Sequence, residues 1–113
     1  MSLRNETSGG EIAATVELAR GFLARLAGLL GRTGIKRDHA LVLFHTNSIH
    51  MFMMMFTIDV IFVDTERKVL KLCPHRRPFS LPVLALGAIY AIELADGRIA
   101  ESGVKVGDRL AWD

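Results

Sequence analysis

Apolar and polar positions along this chain form short stretches that are typical of β-strands. Residues 12–19, 40–44 and 89–94 each predict one strand. Residues 51–63 predict one long strand, or two strands with a bend near Thr57. Apolar residues occupy both parities, which predicts a strand that is buried on both faces or is the central strand of a barrel. After a four-residue turn, residues 69–72 are expected to return antiparallel.

One segment follows a helical period. Its apolar positions, which fit one face of a helix, are Phe22, Leu23, Leu26, Leu29 and Leu30. Residues 99–103 predict a single helical turn or an open loop, and residues 104–112 predict two short strands around a turn at Gly107 and Asp108. This order predicts an α+β, mainly β fold: a small antiparallel β-barrel or curled sheet with one amphipathic helix.

Three further local patterns add expectations about exposure. Residues 73–82 contain all three prolines and predict a loop or irregular edge, because proline cannot donate to a β-ladder. Glu93 shares a strand face with Ile89 and Ala91, and that face is expected to point to solvent. Residues 1–10 are polar and contain glycines, so they predict a flexible tail before a single domain at residues 11–113.

Composition excludes several classes of protein. The net charge is only +2 and the basic residues are scattered, which disfavours nucleic-acid binding. Charged residues interrupt every apolar run, so no membrane span is predicted. The single cysteine, Cys73, excludes a disulfide framework and a cysteine-built zinc site. No signal peptide is visible, which predicts a cytoplasmic protein, or a periplasmic or exported one if a leader has been removed.

Asp59 is the most conspicuous candidate for chemistry. It is the one carboxylate in the middle of an apolar run, and burying a carboxylate without a partner is costly. A structural interpretation has Asp59 capping a turn or pairing with Arg77 or Arg109. A functional interpretation makes it an acid, a base or a group that orients a ligand. In a strand it shares a face with Ile61 and Val63.

The methionines before Asp59 suggest a second kind of site. Met51, Met53 and Met55 fall on one face of a strand, and thioethers are soft ligands that suit Cu(I). His45, His50 and Cys73 could complete such a site. Methionine also fills irregular cores and builds adaptable binding surfaces, and core filling is the favoured interpretation. The sequence therefore predicts no metal and no cofactor.

Six pieces in a fixed order connect the chain to a family. They are residues 28–32, 43–44, 50–53, 58–62, 90–94 and 103–108. With them the chain resembles the domain of unknown function 192 (DUF192), a small bacterial and archaeal family. The resemblance implies a compact, β-rich, barrel-like fold with a helix, and it implies no activity.

The chain departs from the family pattern at two places. The family often has tryptophan two or three residues after the position of His50, where Phe52 and Met53 stand here. It often has Asn and Thr before the Ile-Asp pair, where this chain has residues 55–57, Met-Phe-Thr. A pocket lined by this stretch would therefore be more apolar here.

These patterns favour a non-enzymatic module that binds a small molecule or a protein at the mouth of the barrel. The candidate ligand-binding residues are His50, Met51, Met53, Met55 and Asp59. A first alternative is a small enzyme that uses Asp59 as acid or base, with His50 as a second group. A second alternative is a Cu(I)-handling domain built on the methionines. The expected state is a monomer or a weak dimer through exposed strand edges.

Overall fold

The computed structural model describes residues 1–19, 34–49 and 56–112. The described residues form ten strands and one short helix, so the fold is α+β and mainly β. In chain order they are β1 (Leu3–Asn5), β2 (Glu11–Ala13), β3 (Thr15–Ala19), β4 (His39–Phe44), β5 (Ser48–Ile49), β6 (Ile58–Val63), β7 (Val69–Arg76), β8 (Val83–Leu84), β9 (Tyr90–Ala95), α1 (Arg98–Ser102) and β10 (Leu110–Ala111).

The main sheet has five strands in the order β3-β4-β9-β6-β7. Strand β6 lies between β9 and β7, with Ile61 opposite Ile92 on one side and Leu72 on the other. All six residues of β6 are buried. This confirms the prediction, made from the apolar run, of a strand covered on both faces.

Two hydrophobic clusters cover the two faces of this sheet. On one face Ile61 and Val63 pack with Ile92, Leu94 and the strands of the small sheet β10-β1-β2. The opposite face is formed by alternate residues of the same strands, which pack against residues 83–88 and other side chains. Full burial of such aliphatic side chains stabilises the fold by about 1.5–3 kcal/mol each.

The sequence predicted a barrel or a curled sheet, and the described strands do not close into a barrel. The order of the five-stranded sheet is linear, with β3 and β7 at its two edges. The prediction of a wholly antiparallel sheet is wrong, because β3 pairs with β4 in parallel. Residues 12–19 were expected to form one strand, but Ala14 separates β2 from β3 and the two strands belong to different sheets.

The chain ends meet in the small sheet. The first ten residues, predicted as a flexible tail, contain β1, in which Leu3 and Asn5 are buried. The last strand, β10, pairs with β1 and not with a neighbouring C-terminal strand as predicted. Asn5 strengthens this contact, because its Nδ2 donates to Asp108 Oδ2 at 2.8 Å and its Oδ1 accepts the N–H of Thr7 at 3.0 Å.

Helix α1 confirms the helical turn predicted at residues 99–103. It is bounded by Gly97 (φ 91°) and Gly103 (φ 71°), a conformation that glycine adopts at little cost. The amphipathic helix predicted around residues 22–30 lies outside the described residues. No helix within the described ranges has the length and hydropathy needed to cross a membrane.

Candidate functional site

Asp59 is fully buried, and backbone groups from two other elements surround its carboxylate. Its Oδ1 accepts the N–H of His75 in β7 at 3.0 Å. Its Oδ2 accepts the N–H of Ile99, near the start of α1, at 2.8 Å. The residue shares its face with Ile61 and Val63, as the sequence predicts. The carboxylate therefore joins the centre of the main sheet to its edge strand and to the helix.

The carboxylate of Asp59 provides an acceptor for the N–H of His75 at a β-bulge, where the regular pairing of β6 and β7 is interrupted. Ile58 lies opposite Arg76 and Val60 lies opposite Cys73, so β7 has one more residue than β6 between these pairs. His75 has a positive φ of 55°, and Pro74 before it has no N–H. The proline is tolerated because β7 is an edge strand, so of the predicted loop or irregular edge at residues 73–82 the structure has an irregular strand edge as far as Arg76.

A group of charged side chains lies beside this bulge. The exposed side chains of His75 and Asp96 interact, with 2.5 Å between Nδ1 and Oδ1. Arg37 donates to the Asp96 carbonyl oxygen at 3.2 Å and forms an ion pair with Glu101. The pKa of Glu101 is lowered, first by the hydrogen bond from Arg37 and then by that from Arg98. This network fastens the residues before β4 to the turn that leads into α1.

Asp59, His75 and Asp96 are also the described residues best placed to hold a metal ion. Their ligand atoms lie within 4.8 Å of one another. However, each oxygen of Asp59 already accepts a backbone N–H, and the Arg37 guanidinium contributes a positive charge beside the group. A second cation there would be repelled by that charge. The arrangement is consistent with a structural role.

A groove runs along the outer side of β7. It has a volume of about 560 Å³ and is lined by residues 71–74, Arg76 and residues 81–84. Lys71 and Arg76 each connect its two walls, because Lys71 Nζ donates to the Leu84 carbonyl oxygen at 3.1 Å and Arg76 Nη2 donates to that of Leu81 at 2.6 Å. The β5–β8 ribbon adjoins it, with Ile49 opposite Val83.

The groove combines exposed apolar surface with positive charge. Leu81 is 81% exposed and Leu84 is 53% exposed, although both are large apolar residues. Phe79 and Leu86 in the same segment are 64% and 83% exposed. Exposed apolar side chains that line one surface, as Leu81 and Leu84 do, are characteristic of interaction sites.

Cys73 lies at the floor of the groove. It is buried, and this burial raises the pKa of its thiol, whereas the charges of Lys71 and Arg76 act in the opposite direction. A thiol with a raised pKa is a poor nucleophile at neutral pH. Cys73 therefore contributes volume and polarity to the groove, not a reactive group.

Among the residues predicted as a binding site, only Asp59 falls in the described ranges. His50, Met51, Met53 and Met55 lie outside them. Asp59 has neither Arg77 nor Arg109 as a partner, because it bonds to backbone N–H groups and Arg109 contacts Glu66 at 3.5 Å.

The sequence analysis missed the groove, although a signal was present. The 26 residues from Arg67 to Ile92 contain five Lys or Arg and no Asp or Glu. The same segment also contains four exposed large apolar residues: Phe79, Leu81, Leu84 and Leu86. The net charge of the whole chain does not reveal this pattern, because the basic segment is balanced by acidic residues elsewhere in the sequence.

The chain is similar to proteins of known sequence over nearly its whole length. It is 35% identical to a UPF0127 protein of Thermococcus sibiricus over 117 residues, which cover 98% of this chain and 74% of that protein. It is 34% identical to a UPF0127 protein of Pyrococcus abyssi over 114 residues, which cover 96% of this chain and 94% of that protein.

Two crystal structures have the same fold. A protein of unknown function from Novosphingobium aromaticivorans superposes with a TM-score of 0.83 at 24% identity and covers 98% of this chain and 82% of its own. A Sinorhizobium meliloti protein superposes with a TM-score of 0.82 at 23% identity and covers 97% of this chain and 89% of its own. The family model for DUF192, described as "Uncharacterized ACR", matches residues 4–112. The chain therefore belongs to the DUF192 family, whose archaeal relatives are named UPF0127 and for which no specific function is indicated.

Proposed function

We propose that this protein is a non-enzymatic binding module and that the groove beside β7 is its binding surface. The observation behind this proposal is the placement of exposed Leu81 and Leu84 next to Lys71 and Arg76 in one concave surface. Binding sites are typically concave and mainly apolar, with a few polar groups that fix orientation.

Asp59 supports this surface from behind. Its carboxylate holds the N–H of His75 in the β7 bulge, and the bulge separates groove residues Pro74 and Arg76. A misplaced bulge would displace one wall of the groove. In this proposal Asp59 is a positioning residue for the binding surface, which differs from the direct contact with a ligand predicted from sequence.

The predicted methionine site remains part of the proposal. Ile49 ends β5 opposite Val83 in the groove wall, and the next residues along the chain are His50 and Met51. Met53 and Met55 follow within the same run. The proposal keeps these residues, which lie outside the described ranges, as candidate ligand-binding residues, because thioether side chains adapt to different occupants.

The geometry favours binding over the enzymatic alternative. A catalytic Asp59 would need a second titratable group nearby and an opening to substrate. His75 and Asp96 satisfy the first condition, but Asp59 is 0% exposed and both of its oxygens accept backbone N–H groups. The Cu(I) alternative rests on the methionines and stays a prediction.

Native mass spectrometry tests the proposal on protein purified from its own cells. The wild type is compared with Leu81→Ser/Leu84→Ser and with Val106→Ser, an exposed apolar residue outside the groove. We expect the wild type and Val106→Ser to retain an added mass that the groove variant lacks. A bare chain mass for the wild type, or the same added mass on the groove variant, would overturn the proposal.

A further inference from the structure

The charge of the groove restricts what can occupy it. Both walls come from the segment Arg67 to Ile92, which has five Lys or Arg and no carboxylate. Lys71 and Arg76 hold their cations at the groove through hydrogen bonds to opposite-wall carbonyl oxygens. None of the described residues that line the groove is acidic. A cleft lined by charge of one sign concentrates the opposite sign, so the occupant is expected to be anionic.

The apolar residues of the groove add a second requirement. Leu81 and Leu84 are exposed, and Leu72 and Val83 line the same cavity. Covering one large aliphatic side chain is worth about as much as a good charged contact. The occupant must therefore present apolar side chains beside its negative charges, which a simple anion does not do.

The small extent of the surface favours a polypeptide over a membrane. The groove is lined by nine residues of one segment, whereas membrane association takes a long amphipathic apolar face or a lipid anchor. The outer edge of β7 contains Pro74, which lacks an N–H, and the bulge at His75. These features oppose the addition of a further strand, so recognition is expected to occur through side chains.

We propose that the groove binds a segment of a partner protein that carries Asp or Glu beside Leu, Ile or Phe. This inference rests on the proposed function, since it names the occupant of the same surface. The carboxylates of the partner pair with Lys71 and Arg76, and its apolar side chains cover Leu81 and Leu84.

Selection from a random peptide library against the full chain tests this inference. The groove variant is Lys71→Glu/Leu84→Ser. The matched control is Lys105→Glu/Val106→Ser, which changes an exposed cation and an exposed apolar residue outside the groove. Thermal melts establish that both variants are folded. Selected peptides are then synthesised with a fluorophore, and their Kd values are measured by anisotropy at two salt concentrations.

We expect enrichment of acidic and large apolar residues in peptides selected by the wild type and the control. Binding to the groove variant should be weaker by about tenfold or more, and wild-type affinity should fall as salt rises. Peptides that depend on the groove but lack acidic residues would overturn the acidic partner while leaving the binding module in place. Equal binding to all three proteins, or no selected peptide, would also overturn the inference.

Vesicles distinguish the other anionic surface. Sedimentation with phosphatidylserine-containing vesicles and with neutral phosphatidylcholine vesicles is measured for the same three proteins. We expect no groove-dependent binding to either. Groove-dependent binding to the anionic vesicles, without selected peptides, would replace the partner protein with a membrane surface and contradict the inference.

Discussion

Replacing Asp59 with alanine removes the acceptor of two backbone N–H groups in a fully buried position. The Ile99 N–H is buried, and leaving a buried donor unpaired costs about 1–3 kcal/mol. The His75 N–H is part-buried, so water can replace its acceptor only in part. The loss of two charge-assisted hydrogen bonds adds to the cost of these unpaired N–H groups. We therefore expect Asp59→Ala to lower the free energy of unfolding by about 3–5 kcal/mol.

Two further variants show how far the loss of stability depends on the burial of the N–H groups and how far on the number of hydrogen bonds removed. Asn in place of Asp59 can accept one N–H and turns its own amide toward the other, so Asp59→Asn should fold and lose about 2 kcal/mol. Asp64 is the matched control, because its Oδ1 also accepts two backbone N–H groups, from Glu66 at 2.9 Å and Lys68 at 3.0 Å. Those groups lie in an exposed turn where water replaces the carboxylate, so Asp64→Ala should cost about 1 kcal/mol or less.

Urea titrations followed by circular dichroism and by Trp112 fluorescence measure the three variants against the wild type. The m-value should stay constant if the variants unfold in one step. The reasoning about Asp59 fails if Asp59→Ala costs no more than Asp64→Ala. It also fails if Asp59→Asn is as destabilising as Asp59→Ala, because the one oxygen acceptor that Asn retains would then contribute nothing to stability.

Three other predictions concern the core and the groove. Asn5→Ala should cost about 1–2 kcal/mol near neutral pH, because its amide binds Asp108 and nearby N–H groups. The Asn5 amide, followed by the Lys105 N–H, lowers the pKa of Asp108, so this stabilisation is present above the ordinary aspartate pKa of about 4. It is lost as the pH falls through the lower folded-state pKa, and urea titrations should show the difference between Asn5→Ala and wild type narrowing in acid; a constant difference would contradict this. Because burial raises the pKa of Cys73, its reaction with a disulfide reagent should be slow at neutral pH and should keep accelerating above about pH 8.5, and a rate that levels off below that pH would be inconsistent with a buried thiol. Trp112 is buried between Tyr90 (ring centroids 5.1 Å apart) and the Arg67 guanidinium (4.0 Å from the ring centroid), so Trp112→Ala should cost about 3–5 kcal/mol by circular dichroism in urea; a loss below about 1 kcal/mol would refute its place in the core.

Sequence patterns correctly predicted those elements in which the spacing of apolar residues matches the burial of the side chains. The doubly apolar run before Asp64 identified β6 as a strand covered on both faces, and the turn at residues 64–67 identified its antiparallel return. The short helix was predicted from residues 99–103. In these cases the nearest neighbours along the chain determine which side chains are buried.

Long-range pairing accounts for the predictions that were wrong. Glu93 was expected at the surface because it alternates with apolar residues, yet it is 5% exposed because its face of β9, which it shares with Ala91, is covered by the second hydrophobic cluster. The parallel contact between β3 and β4 and the pairing of β10 with β1 join residues distant in sequence, and a local period contains no information on them. The strand after the turn was predicted to end at residue 72, but β7 continues through Pro74 to Arg76. Proline is excluded from central strands but tolerated in an edge strand.

The candidate site was likewise predictable from the sequence only in part. The presence of a special carboxylate at Asp59 was predictable from its apolar surroundings, but its partners are backbone N–H groups, which no side-chain pattern can indicate. The groove depends on the packing of residues 81–84 against β7, which again required the tertiary structure. Only its basic and apolar composition is visible in the sequence.

Site-specific photo-crosslinking in the protein's own cells shows directly whether the groove is occupied. A photoreactive amino acid replaces Leu84 in the groove or Val106 outside it, two exposed positions where a larger side chain is tolerated. If the groove is the binding surface, irradiation should give a discrete adduct from position 84, identified by mass spectrometry, and none from position 106. The same adducts from both positions, or none from position 84, would contradict the account.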